Sequence, residues 1–168
     1  MQIHHATTED VRAVAKIHVD TWRAAYAEII PADFLAALSV AQRETMWHQC
    51  ITSRSPELLV AKQAGTVQGW LSFGLCTDKS GTESEGEVWA LYVAPTSWST
   101  GVGRQLWLRA KELMLSQGFT ACSLWVFPQN ERAIKFYHAA GFSHDGSAPR
   151  SFALGGVQLQ EIRLVCQL

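Results

Sequence analysis

The stretch over residues 87–106 constrains the fold more than any other part of the chain. Glu87 leads into Val88-Trp89-Ala90-Leu91-Tyr92-Val93, a run that strict alternation divides into two apolar faces, Val88/Ala90/Tyr92 and Trp89/Leu91/Val93. A strand apolar on both faces is covered on both sides, which places it in the middle of a sheet flanked by helices. Pro95 ends it. Gly101 and Gly103 then open a helix whose buried side carries Leu106, Trp107, Ala110, Leu113 and Met114. Gly118 suits the left-handed residue that stops such a helix. A buried strand, a short loop and a helix in that order point to an α/β domain.

The remaining segments fit the same class. Residues 2–6 read as a first strand. Thr7-Thr8-Glu9-Asp10 then offers a capping hydroxyl and early acidic side chains. Apolar or aromatic positions at Val11, Val14, Ala15, His18, Trp22, Ala25, Tyr26 and Ile29 step by three and four along one helix face. Pro31 breaks that pattern, and a second helix is expected over residues 32–50. Residues 58–61 and 67–73 read as strands around Ala64-Gly65, and residues 78–86 as an exposed polar loop. A strand over 121–126, a helix over 131–140 closed by Gly141, and a hairpin turning at Gly155-Gly156 complete the chain. The order β-α-α-β-β-β-α-β-α-β-β describes a mixed sheet in one α/β domain spanning residues 1–168, and a length of 168 residues suits a single core.

Composition narrows the function. Fourteen basic residues against 15 acidic ones leave a net charge of -1, without the excess needed to neutralise nucleic-acid phosphates. The four cysteines, Cys50, Cys76, Cys122 and Cys166, lack the close spacing of a zinc or redox motif and read as free thiols of a cytoplasmic protein. The six histidines include no HxxxH pair, so no metal is expected. The start of the chain has no apolar targeting core, and no run is long enough to cross a membrane.

Two segments carry chemistry. In the first, Val93-Ala94-Pro95 runs to Gly101-Val102-Gly103-Arg104. Glycine admits a ligand close to the backbone, and first-turn amides have no partner inside the helix, which suits a phosphate or pyrophosphate. Alone, the same glycines serve equally well to permit a tight turn. No Gly-Lys-Ser/Thr follows, and there is no third glycine at dinucleotide-fold spacing. The second segment is Asn130-Glu131-Arg132-Ala133-Ile134-Lys135-Phe136-Tyr137-His138-Ala139-Ala140-Gly141-Phe142. Together the two resemble the GNAT superfamily of Gcn5-related N-acetyltransferases: a V-x-P…G-x-G…L pattern, then N-x-x-A-x-x-F-Y-x-x-x-G-F. The likeness extends over nearly the whole chain, since the element order is also that family's.

The resemblance implies acetyl transfer from acetyl-CoA to an amine by direct attack on the thioester. It implies that the pantetheine arm lies along Leu91, Tyr92 and Val93, and the pyrophosphate on Ser99, Thr100, Gly101, Val102, Gly103 and Arg104. Asn130 matches the position that contacts the cofactor arm. Trp98 departs from the pattern, standing where the family usually has Gln or Arg, so phosphate contacts are expected to be weakened or rearranged. Tyr137 matches the tyrosine acid beside the thioester sulfur, although by itself it reads as a core aromatic beside Phe136. Glu87, the lone charge in its strand, resembles the base of the histone-acetyltransferase branch, and equally reads as a solvated glutamate continuing Glu83 and Glu85. His18 and His138 are weaker candidates for the base.

For the acceptor, Trp22, Tyr26, Glu28 and Asp33 lie near the first helix–helix turn. Aromatic walls with Glu28 or Asp33 suit a small cationic amine, while Trp22 reads first as core packing. Tyr26 and Glu28 are the expected acceptor contacts. A small-molecule or peptide amine remains open, as do a longer acyl chain, a non-catalytic acyl-CoA sensor and a homodimer of the kind family members often form.

Overall fold

In a computed structural model of the chain, residues 1–78 and 84–168 are described. The strands are β1 (Gln2–His5), β2 (Glu57–Gln63), β3 (Thr66–Leu75), β4 (Glu85–Val93), β5 (Ala121–Val126), β6 (Ser143–His144), β7 (Arg150–Leu154) and β8 (Val157–Gln167). They form one mixed sheet in the order β1-β2-β3-β4-β5-β8-β6, with β7 attached to β8. The β4–β5 pair is parallel and every other pair is antiparallel. The helices are α1 (Val11–Ala25), α2 (Ala32–Ala36), α3 (Val40–Ser53), α4 (Val102–Ser116) and α5 (Glu131–Ala139).

Alternation in β2 and β3 distributes side chains to two cores. Leu59, Leu71 and Phe73 pack with Leu106, Trp107 and Met114 of α4 and with Phe136 of α5. Leu58, Val60 and Trp70 pack on the other face with Val14 and Ile17 of α1 and Trp47 of α3. The sheet is therefore covered on both sides, as the apolar run in β4 requires. Before α1, Asp10 accepts a hydrogen bond from the Thr7 N–H at 3.0 Å and pairs with Lys62 of β2 at 2.6 Å. That contact fastens the start of α1 to the sheet.

Three expectations change. The single helix over residues 32–50 is two. The Arg23 guanidinium of α1 donates to the carbonyls of Leu35, Ala36 and Leu38, at 3.1, 3.2 and 2.9 Å, and closes α2. Ser39 is extended, and its hydroxyl accepts from the Gln42 N–H to start α3. The polar loop over 78–86 ends earlier than expected, because Glu85 and Gly86 already belong to β4. Glu85 is buried against Arg163 of β8, so it does not continue a solvated acidic run. Residues 79–83 of that reading, with Glu83, lie outside the described residues.

The third change concerns β4. Ser72 of β3 faces Ala90, yet Phe73 faces Val88, so Trp89 is an extra residue in a β-bulge. The bulge reverses the phase of the strand. Val88, Leu91 and Val93 share the α4 side, while Ala90 and Tyr92 face α1. Gly74 has no side chain to oppose the Trp89 ring, which would lie 3.6 Å from a Cβ placed there.

Candidate functional site

β4 and β5 pair only through Glu85–Ala121, Gly86–Cys122 and Glu87–Ser123. Past that point β4 stays with β3 and β5 with β8, and a cavity of about 430 Å³ opens between them. The bulge at Trp89 sits where the strands part. Leu91, Tyr92 and Val93 line the cavity, and backbone groups of β4 turned away from β3 have no strand beside them. The Val93 carbonyl is taken: it accepts from Trp98 Nε1 at 2.8 Å and from Thr21 Oγ1 at 3.1 Å.

The loop before α4 forms one end of the cavity. Ser99 and Gly101 have φ of 62° and 89°, in the left-handed region. Among the described residues, no backbone N–H from Ser99 to Arg104 finds a protein acceptor. Ser99, Gly101, Val102, Gly103 and Arg104 line the cavity, whereas Thr100 turns away and donates its hydroxyl to the Ser97 carbonyl at 2.7 Å. Gly103 packs beside Phe136 and Leu91, which would lie 3.5 and 3.6 Å from a Cβ placed there, at ordinary contact distance. Asn130, also on the wall, caps α5 by accepting from the Ala133 N–H at 3.2 Å. Trp98 lines the cavity with its indole folded back on Val93, and the Arg132 guanidinium stacks 3.5 Å from its ring centroid.

Glu87 and Tyr137 both face this space. Glu87 is 6% exposed, and its carboxylate accepts from the Thr77 N–H at 3.3 Å and hydroxyl at 3.4 Å. Burial raises its pKa above the ordinary carboxylate value; the Thr77 N–H opposes that rise and Asp78 adds to it. It is not a solvated glutamate. Tyr137 packs against Phe136 and Phe142, and burial pushes its hydroxyl well above the usual phenol value. The hydroxyl therefore stays protonated at neutral pH.

Tyr26 lines the cavity, where its ring meets Phe127 edge-on at 5.1 Å. Trp22 lies behind it and donates Nε1 to the Tyr92 hydroxyl at 2.8 Å. Glu28 is not brought to this site. It is exposed and borders a shallow groove with Ile30, Pro31 and Leu159. The acidic group that does reach the cavity from outside β4 is Glu161 of β8, held by Arg150 of β7 through Nε and Nη2 at 2.8 and 2.7 Å. Arg150 also lies over the Trp125 ring at 4.5 Å, and Trp125 donates to Asp78 at 2.7 Å. No spacing in the chain signals Glu161 or Arg150, because the terminal hairpin meets the cavity only after folding.

His18 is buried among Trp22, Trp47, Trp70 and Tyr92, away from the cavity lining. Burial first, and the Arg43 charge second, lower its pKa to about 3. His138 is exposed and contacts the Phe142 carbonyl. Among the described residues, no three His, Cys, Asp or Glu side chains are grouped as a metal site, and no helix is long and apolar enough to cross a membrane.

Residues 13–142 match the model of the acetyltransferase (GNAT) family. The chain belongs to the GNAT acetyltransferase family. It is 34% identical over 163 residues to the uncharacterized N-acetyltransferase YuaI of Bacillus subtilis, covering 96% of this chain and 90% of that protein. It is 22% identical over 159 residues to a spermidine N(1)-acetyltransferase of Thermoplasma acidophilum, covering 92% and 95%. Among solved structures, the PaiA N-acetyltransferase of T. acidophilum in complex with coenzyme A superposes with a TM-score of 0.80 at 20% identity over the whole of both chains. A ribosomal-protein-alanine N-acetyltransferase of Brucella melitensis superposes at 0.78 with 23% identity, again over both whole chains. The mixed sheet parted between β4 and β5 is thus the GNAT fold.

Proposed function

We propose that this GNAT protein is a cytoplasmic enzyme that transfers an acetyl group from acetyl-CoA to a cationic primary amine. The observation that carries the reading is the parting of β4 from β5 beside a loop of unpartnered amides. A thioester with a pantetheine arm offers amide groups, and the free edge of β4 at Leu91, Tyr92 and Val93 offers strand-like partners for them. Its phosphates suit the amides of residues 99–104 and the Arg104 charge. Asn130 lies on the wall of the same cavity.

The residues at the other end suit amine chemistry. Glu87, with its raised pKa, takes the ammonium proton through a water, and the neutral amine attacks the thioester carbonyl. An N–H of β4 offers a donor to the carbonyl oxygen as charge develops there. The C–N bond forms as the C–S bond breaks, and Tyr137 gives its proton to the departing thiolate. A hydroxyl kept protonated by burial is ready for that step. The surplus proton shed by the new amide nitrogen passes through water to restore the Tyr137 hydroxyl. Glu161 pairs with Arg150 and Asp78 with Arg163, whereas Glu87 has no ion-pair partner among the described residues, so the uncompensated charge at this end is negative and a cationic acceptor is favoured over an anionic one. The relative named for spermidine supports an acceptor of the polyamine kind.

The test is a panel of amines, incubated with the protein and acetyl-CoA and read by mass spectrometry. Di- and polyamines are expected to give acetylated product faster than amino acids. Folded protein that acetylates no amine would overturn the reading.

A further inference from the structure

We propose that Trp98 is a platform that aims Arg132 at the phosphate end of the donor, making this pair a specificity element of the cavity. The inference rests on the reading that the cavity takes a CoA thioester.

The geometry begins at Val93, where β4 ends. Its carbonyl accepts from Trp98 Nε1 at 2.8 Å, which fixes the indole against the strand. Arg132, in the first turn of α5, lays its guanidinium 3.5 Å from the centroid of that ring. Two elements separated by 34 positions in the chain are thereby joined across the mouth of the cavity, and both residues line it. Stacking occupies one face of the guanidinium and leaves its edge free, and that edge carries the N–H donors.

Arg132 has no carboxylate partner among the described residues. Its neighbour Glu131 pairs with Lys135 at 3.3 Å instead. At the opposite end of the cavity, Arg150 is neutralised by Glu161. An exposed arginine held by an aromatic ring, with its charge uncompensated, is prepared for a bidentate anion such as a phosphate. Trp98 has no charge of its own, yet it places one beside the residues 99–104 loop. The tryptophan orients the cation and leaves the loop open.

The experiment compares acetyl-CoA with S-acetylpantetheine, which has the thioester arm and no phosphate, by calorimetric titration of the wild type and variants. Arg132→Ala is expected to weaken acetyl-CoA binding by about tenfold or more, the loss of a charged hydrogen-bonding partner. Arg132→Glu should weaken it further, and Trp98→Leu should weaken it by less than Arg132→Ala. Affinity for S-acetylpantetheine should be the same in all of them. Circular-dichroism melting of each variant separates loss of binding from loss of fold. Unchanged acetyl-CoA affinity in folded Arg132→Ala, or equal losses for both ligands, would overturn the proposal and leave the donor site standing. A wild-type protein that binds neither ligand would remove the donor site as well.

Discussion

Glu87 of β4 stands opposite Ser123 of β5 at the last position where the two strands pair. The carboxylate therefore sits at the apex of the opening, at the end remote from the loop before α4. Its pKa is raised by burial, so it ionises above the ordinary value of 4.5. If it is the base, the rate falls as pH drops through that raised pKa, because protonated Glu87 accepts nothing. Glu87→Gln should lower kcat by about 100-fold or more and abolish this acid limb, with acetyl-CoA affinity retained. Rate–pH profiles of both proteins, with the same amine, check it.

Tyr137 should behave differently. Tyr137→Phe keeps the packing on Phe136 and Phe142 and removes only the hydroxyl. kcat should fall by about 100-fold while the Kd for acetyl-CoA stays within about twofold. A structural tyrosine would leave kcat unchanged.

Gly69 tests the link between packing and the cavity. A Cβ there would lie 2.9 Å from the Tyr92 carbonyl oxygen and 3.0 Å from Val102 Cγ1. The first is backbone and cannot swing away, so β3 and β4 must separate. Gly69→Ala should destabilise the fold by about 1–3 kcal/mol in urea unfolding and weaken acetyl-CoA binding, since Tyr92 and Val102 both line the cavity.

His18 governs acid stability. Its Nδ1 accepts from Trp47 Nε1 at 3.1 Å, and Nε2 is buried without a partner, so the neutral ring is what the fold holds. The folded pKa of about 3 lies below the ordinary 6.5. The unfolded chain therefore binds the proton first, and stability is full above pH 6.5 and falls as the pH is lowered toward 3. The expected slope is about 1.4 kcal/mol per pH unit. His18→Leu should flatten it in urea titrations at several pH values.

Much of this was legible in the chain because local rules governed it. Gly118 and Gly141 both have the positive φ that their places after α4 and α5 imply. The two-sided apolar run of β4 does lie between two helical layers. Where the reading failed, the deciding contact was distant. Alternation assigned Val88 and Leu91 to opposite faces, because a one-residue bulge against β3 leaves no mark in the β4 sequence itself. The helix over residues 32–50 breaks because Arg23 of α1 collects its carbonyls, which no local propensity encodes. Glu28 seemed placed for the acceptor by its nearness to Tyr26 in sequence, yet the chain turns after α1 and carries it to the outer groove. Glu161 and Arg150 enter through the hairpin, and Trp98 finds Arg132 through space. Motif residues were readable, and the charges that polarise the cavity were not.

The most direct test of the account is calorimetric titration of the purified protein with acetyl-CoA, with desulfo-CoA and ATP as comparisons. Saturable, micromolar binding of acetyl-CoA, nearly matched by desulfo-CoA and not by ATP, is the predicted result, because the β4 edge and the residues 99–104 loop recognise the arm and phosphates together. Well-folded protein that takes up no acetyl-CoA would contradict the account, since neither Glu87 nor Tyr137 would then have a thioester to act on.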